Sequence, residues 1–298
     1  MVPIELSMLV PLQVGQRVLV AATSISALVL AAAGLTIIFG LMGVINLAHG
    51  TFVMLGAYTG FMIQNAGFSP WLGIIAAPFV VGAIGLVLEI SLVKRLYERP
   101  LDTLLATWGV AIILREGVKL VFGTSQKSVS APIEGSISLL GTQAPVYWLF
   151  IIGISASVMT AVILLFKYTD VGIMALAVIE NREMASALGI NTTLSDRLTF
   201  AFGSALAGLA GVIIAPRLSV NAEMGLSWLA NSFLAVIVGG VGTFVGTIAG
   251  GVLLGGLDNI FRSVLPDLTA VAQALVLVVA LVIIRYRPNG LIAPGGRE

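Results

Sequence analysis

The chain has 298 residues, of which 58% are hydrophobic and only 10% are charged, and its formal net charge is +1. A soluble protein carries about 25% charged residues because its surface must meet water, so this composition excludes an ordinary soluble domain. The near-neutral charge, without any Lys/Arg run, gives no indication of nucleic-acid binding. With no cysteine and one histidine, we predict no metal site.

Apolar windows of about 20 residues, the length that crosses a bilayer core, recur along the chain. We predict nine segments, at about 18–40, 43–65, 71–93, 104–122, 146–166, 198–216, 228–241, 244–262 and 268–285. The second is polar in its first half and the seventh is short, so each is also compatible with a re-entrant segment. The predicted fold is all-α: a polytopic transmembrane bundle of eight or nine spans, forming a single domain over residues 1–298.

Basic residues are distributed unevenly between the two ends of these segments. If all nine segments cross, one side holds Lys94, Arg95, Arg99, Lys167, Arg182, Arg197, Arg285, Arg287 and Arg297, and the other holds Arg17, Lys127, Arg217 and Arg262. Cytoplasmic loops are enriched in Lys and Arg. The distribution therefore predicts an N-terminus outside the cell and a C-terminus in the cytoplasm.

Polar residues inside the second segment form the first candidate site. Asn46 and His49 are three residues apart, which places them on one face of a helix. Polar groups are costly in hydrocarbon and tend to face a cavity or a partner. We predict that the two side chains line a substrate pathway, with a hydrogen-bonded packing pair between helices as the alternative.

Charged residues occur in the third and fourth segments. Glu116 and Lys119 are spaced to neutralise each other on one helix face, so we predict a structural ion pair. Glu89, near the inner end of the third segment, is expected to pair with Lys94 or Arg95.

The inner loop at about 167–197 predicts a short cytoplasmic helix over about 171–190, ended by the Asn191-Thr192-Thr193 run. In this helix Ala185 comes two residues after Glu183, and Gly189 comes six residues after it. A Gly at a helix C-terminus lets the chain turn sharply. Such a helix can lodge in a cleft of a partner protein. An ordinary amphipathic loop helix fits the spacing equally well.

The seventh segment supplies the remaining candidates for a substrate pathway. Asn231 and Ser232 are polar groups within it, and Gly239 and Gly240 at its end permit close backbone approach. A packing role is the alternative for all four.

Five segments in this order give the chain a resemblance to the permeases of branched-chain amino acid and urea importers, over nearly its whole length. They are Gly43–Gly50, Arg99–Gly109, Leu198–Phe200 with Ala205–Gly211, Val238–Gly242, and Arg287–Leu291. The stretches 101–109 and 181–189 look more like the urea-type members. In this family the short cytoplasmic helix is the coupling helix that meets the ATPase. Two departures concern it: residues 172–177 are neutral where the family has Arg, and Met184 replaces an Ala.

The resemblance implies a permease subunit of an ATP-binding-cassette importer in the bacterial inner membrane. The substrate expected from it is urea or a short-chain amide; the alternatives are a branched-chain amino acid or, in another class, an ATP-independent channel. The implied partners are two cytoplasmic ATPases, a second permease (identical or homologous), a periplasmic solute-binding protein and membrane lipid. The resemblance assigns ATPase coupling to Glu180, Arg182, Glu183, Ala185 and Gly189.

No catalytic residue or cofactor is predicted in this chain. No GxxxxGK[ST] phosphate-binding loop is present, so ATP and Mg²⁺ are expected on the partner ATPases.

Overall fold

The computed structural model describes residues 3–97, 99–139 and 142–292. These residues form α1 (Pro3–Leu35), α2 (His49–Asn65), α3 (Pro70–Ser91), α4 (Pro100–Phe122), α5 (Val146–Tyr168), α6 (Asp170–Glu180), α7 (Arg182–Ala187), α8 (Thr192–Ile214), α9 (Met224–Gly239), α10 (Phe244–Val264) and α11 (Thr269–Tyr286). One antiparallel pair, β1 (Ser136–Leu139) and β2 (Thr142–Pro145), precedes α5. The all-α prediction is confirmed, with this small pair as an addition.

Six helical segments in the described chain are long and apolar enough to cross a membrane. They are Gly15–Leu41, Pro70–Arg95, Val146–Tyr168, Thr192–Arg217, Phe244–Val264 and Thr269–Tyr286. Of the rest, α9 is a shorter apolar helix, α2 has 17 residues, and α4 carries charged residues near its end. The number of membrane spans depends on whether these three helices cross the bilayer, so the predicted eight or nine spans stay a prediction.

Helix α8 lies at the centre of the bundle. Of an 18-residue apolar window within Thr192–Arg217, 72% is buried, against 17% of Thr269–Tyr286 at the rim. Glycines bring α8 close to its neighbours α1 and α2: a Cβ at Gly34 would collide with the carbonyl of Gly203, and a Cβ at Gly56 with that of Gly208. Small residues serve this purpose in membranes because close van der Waals packing holds such helices together.

The second segment begins later than predicted. Helix α1 continues as a π-helix over Thr36–Leu41, and Gly43 then adopts a φ of +70°, a conformation that glycine reaches without strain. The chain is irregular from there until α2 starts at His49. Asn46 therefore precedes the helix, and the prediction that it shares a helical face with His49 is wrong.

The inner loop forms two helices where one was predicted. Asn181 separates α6 from α7, with φ −152° and ψ 95°, and its side-chain oxygen accepts a hydrogen bond from the Met184 N–H at 2.9 Å. Asn competes for backbone hydrogen bonds in this way and is favoured at helix N-caps. The cap therefore begins a new helix at Arg182 and changes the direction of the chain.

The predicted ion pair of α4 is confirmed. Lys119 Nζ lies 3.0 Å from Glu116 Oε1 and 2.6 Å from Glu223 Oε1. Because Glu223 directly precedes α9, the cluster also joins α4 to the start of that helix.

Candidate functional site

The α7 segment and the residues that flank it carry exposed acidic and apolar side chains. Glu180 and Glu183 are exposed, and Met184 and Leu188 are 58% and 75% exposed. Met184 and Leu188 are four residues apart and lie on the same face. Ala185, by contrast, is buried. An exposed apolar pair on a short helix outside the long spans is a candidate surface for contact with another protein. We call these four exposed residues, with α7 itself, the α7 surface.

Gly189 ends this helix in the left-handed backbone conformation that is expected of a glycine C-cap. Its φ is +84°, its N–H donates to the Ser186 carbonyl at 3.0 Å, and the Ile190 N–H donates to the Ala185 carbonyl at 3.0 Å. These two bonds are the C-terminal capping pair of the Schellman motif. Among the described residues, no atom lies within 4 Å of the position a Cβ would occupy, so only the backbone conformation selects glycine here.

Arg182 points inward from α7 and joins it to α8. Its Nη1 donates to Asp196 Oδ2 at 2.6 Å, and its guanidinium carbon lies 5.9 Å from the centroid of the Tyr97 ring. The Asp196 side chain is nearly enclosed. A charge-assisted bond to a carboxylate in that position is stronger than an exposed ion pair. This bond therefore joins α7 to the first turns of α8.

Glu89 extends this polar cluster into the bundle. The Tyr97 hydroxyl donates to Glu89 Oε1 at 3.3 Å, and Arg197 Nε lies 3.5 Å from Glu89 Oε2. Burial raises the pKa of Tyr97, so the phenol stays protonated and can donate. The predicted pairing of Glu89 with Lys94 or Arg95 is wrong: both are exposed in the turn after α3, whereas Arg197 comes from α8, which packs along α3.

Asn46 and His49 are fully buried within the single chain. His49 Nε2 lies 2.9 Å from the Ala31 carbonyl of α1, and Asn46 Oδ1 accepts from the Ala48 N–H at 3.0 Å. In the described part of the chain, Asn46 Nδ2 and His49 Nδ1 have no hydrogen-bond partner, which is uncommon for buried polar atoms. The geometry is that of a packing contact between α1 and α2, and the pathway role stays a prediction.

Asn231 and Ser232 have different surroundings on α9. Successive residues of a helix point about 100° apart. The Ser232 hydroxyl is buried and has no hydrogen-bond partner in the described chain. Asn231 instead lines a cavity of about 340 Å³ between α1, α9, α10 and α11. Of these two candidates, Asn231 is the one that faces open space.

Gly239 and Gly240 make close backbone contacts where α9 ends. A Cβ at Gly239 would collide with the Gly246 carbonyl, and one at Gly240 with the Ile292 carbonyl. The Ile292 N–H donates to the Gly239 carbonyl at 2.9 Å. The contact closes this end of α9 against the chain that follows α11, and a place for the two glycines in a substrate pathway stays a prediction.

A bundle of membrane-length helices that carries a short capped helix outside the spans has the form of an importer permease. The chain belongs to the family of permease components of branched-chain amino acid transport systems, which matches residues 18–284. It is accordingly a multi-pass membrane transport subunit and not an enzyme.

Three characterised relatives illustrate the family. The chain is 31% identical to the high-affinity branched-chain amino acid transport system permease LivH of Salmonella typhimurium, over 88% of this chain and 90% of that protein. It is 28% identical to BraD, a permease of the same description from Pseudomonas aeruginosa, over 88% and 90%. It is 26% identical to the ribose import permease RbsC of Haemophilus influenzae, over 89% and 83%. No solved structure matches the chain.

Sequence reasoning missed several residues of these sites. Asp196 was not recognised as the partner of Arg182, because 14 residues and a helix boundary separate them. Asp258 and Arg262 were not singled out as a pair either. Their spacing of four residues within an apolar segment was the signal available for them.

Proposed function

We propose that this chain is the permease subunit of an ATP-binding-cassette importer that moves a branched-chain amino acid across the bacterial inner membrane. The observation that carries the proposal is the family match over residues 18–284. Relatives named as branched-chain amino acid permeases cover most of the chain and support the same substrate class. The expectation that the substrate is urea or a short-chain amide rests on the resemblance of two short stretches. The comparisons favour the alternative, a branched-chain amino acid.

The α7 surface is the proposed docking site for a cytoplasmic ATPase. Its apolar residues Met184 and Leu188 would enter a cleft of that partner, while Glu180 and Glu183 would meet its polar rim. An ATP-independent channel would have no use for such a surface, which argues against that class.

Motion of the ATPase would reach the bundle through the polar cluster under α7. Arg182 is bonded to Asp196 on α8, and Glu89 on α3 contacts the neighbouring Arg197. Because α8 is the buried centre of the bundle, a shift of its cytoplasmic end would alter its packing against α1, α2 and α3. Packed interfaces of this kind change between discrete arrangements, which is what alternating access requires.

The complete importer, in this proposal, contains two such permeases, two ATPases and a periplasmic binding protein. The second permease is identical or homologous, and lipid surrounds the pair. ATP and Mg²⁺ bind the ATPases, and this chain holds no cofactor. The substrate path runs between the permeases, and the cavity that Asn231 lines would open onto it. Ser232, Gly239, Gly240, Asn46 and His49 hold the helices that border the path.

The test is uptake by the assembled complex. The chain, its ATPases, its partner permease and its binding protein are reconstituted in liposomes, and labelled leucine, urea and acetamide are offered with ATP. The proposal expects ATP-dependent leucine uptake that valine and isoleucine inhibit and urea does not. Urea uptake that leucine leaves unchanged would contradict the substrate, and uptake without ATP would contradict the importer.

A further inference from the structure

The cavity that Asn231 lines is a candidate site for substrate recognition. It has a volume of about 340 Å³ and lies between α1, α9, α10 and α11. Small-molecule sites fall in a range of about 300–1,000 Å³, so this volume is enough for one small solute. Its polar lining consists of Ser24, Asn231, Asp258, Asn259, Arg262 and Gln273.

An ion pair lies at one side of the cavity. Arg262 Nε lies 2.9 Å and 2.8 Å from the two carboxylate oxygens of Asp258, one helical turn away on α10. The Arg262 and Asp258 side chains remain 45% and 33% exposed. The bonds to Asp258 use one of the five guanidinium N–H donors, so the two terminal nitrogens lie outside this pair.

The cavity also has an apolar lining, which we call the leucine wall. It includes leucines from three different helices: Leu28 of α1, Leu234 of α9 and Leu277 of α11. Two charges of opposite sign thus line the same small space as aliphatic side chains. Ionisable residues on membrane helices often mark substrate pathways.

We propose that this cavity binds the amino acid during transport, with the substrate zwitterion placed across the ion pair. The terminal nitrogens of Arg262 bind the α-carboxylate, Asp258 accepts hydrogen bonds from the α-ammonium, and the amide of Asn231 adds a further polar contact. The branched side chain packs against Leu234 and Leu277. The inference rests on the proposed function and names the residues that recognise its substrate.

The chemistry of the lining distinguishes this substrate from the alternatives. A zwitterion leaving water must have both charges met, and the cavity offers one group of each sign. Urea carries no charge and would leave the ion pair and the leucine wall without a partner. A sugar would likewise not match the leucine wall.

The experiment uses the complete reconstituted importer with its binding protein and ATP. Leucine uptake and the ATP hydrolysis stimulated by leucine-loaded binding protein are measured together for Asp258→Asn, Arg262→Gln and the wild type. The expected result is a fall in uptake of at least about tenfold for each variant, with stimulated hydrolysis within about twofold of wild type. Asp267→Asn is the matched control: Asp267 is exposed between α10 and α11, does not line the cavity, and should leave uptake unchanged.

A charge exchange separates substrate recognition from support of the fold. The double variant Asp258→Arg with Arg262→Asp keeps an ion pair on α10 but reverses it. It should remain defective in uptake, because the carboxylate and ammonium sites are exchanged relative to the leucine wall. Wild-type uptake by the exchanged variant, or by both single variants, would overturn the inference. A wild-type complex that transports no branched-chain amino acid would instead contradict the proposed function.

Discussion

Arg182 in α7 and Asp196 in α8 are joined by an Nη1–Oδ2 contact of 2.6 Å, although 14 residues separate them in the sequence. The contact ties the exposed α7 surface to the most buried helix of the bundle. It also places Arg182 over the Tyr97 ring, next to the Glu89–Arg197 pair.

Asp196→Asn should uncouple transport from ATP hydrolysis. Loss of the charge weakens the link to Arg182, so we expect uptake to fall by at least about tenfold while basal hydrolysis by the complex is retained. The measurement is uptake and hydrolysis on one preparation. Asp170→Asn, a change of an exposed carboxylate at the start of α6, is the control and should behave as wild type.

A double variant tests whether Arg182 and Asp196 act as one unit. If they do, Arg182→Gln combined with Asp196→Asn should lower uptake no further than the worse single change. Additive losses of uptake would show that the two residues act separately, and would contradict a shared role in coupling α7 to α8.

Gly189→Val should abolish uptake while leaving membrane insertion intact. A β-branched residue at φ +84° carries a strain of about 1–2 kcal/mol, and the last turn of α7 would rearrange to release it. Gly189→Asn is the matched control, since Asn tolerates this conformation at helix ends and should retain most uptake. Normal uptake by the valine variant would show that the geometry of the cap is not needed for coupling.

Glu89→Gln should destabilise the bundle by about 1–3 kcal/mol, because it removes the charge of a buried carboxylate that lies 3.5 Å from the partly buried Arg197. The free energy of unfolding, followed by denaturant titration in detergent, measures the loss. Adding Arg197→Gln should recover part of it. A double variant less stable than the single one would show that the pair is not the source of the effect. Glu183→Gln, an exposed change, should leave stability unaltered.

His49→Phe distinguishes the packing and pathway roles of that residue. If the contact with the Ala31 carbonyl holds α1 against α2, the change should lower stability by about 1–3 kcal/mol and leave uptake per folded molecule near wild type. Unchanged stability with uptake reduced at least about tenfold would instead support the pathway role. Thermal unfolding and uptake normalised to folded complex give the two quantities.

Composition and local patterns were sufficient for the class of fold and for several local features. Too few charges to cover a soluble surface predicted a membrane protein, and six helices of spanning length follow that expectation. The glycine cap of α7 and the Glu116–Lys119 ion pair each involve residues only a few positions apart. Their geometry can therefore be predicted from the local sequence. The amino-acid substrate, by contrast, was only the alternative from sequence, and the comparisons favoured it.

The tertiary structure alone decided which faces are buried and which distant groups meet. On α3, Val81 is fully buried whereas Phe79 and Val87 are 75% and 63% exposed, although all three are large and apolar. Lipid accepts apolar side chains as readily as the protein interior does, so hydrophobic periodicity does not separate the two faces of a membrane helix. For the same reason the sequence did not reveal that Glu89 meets Arg197, or that Asp258 faces the cavity lined by Asn231, since both arrangements depend on how helices pack.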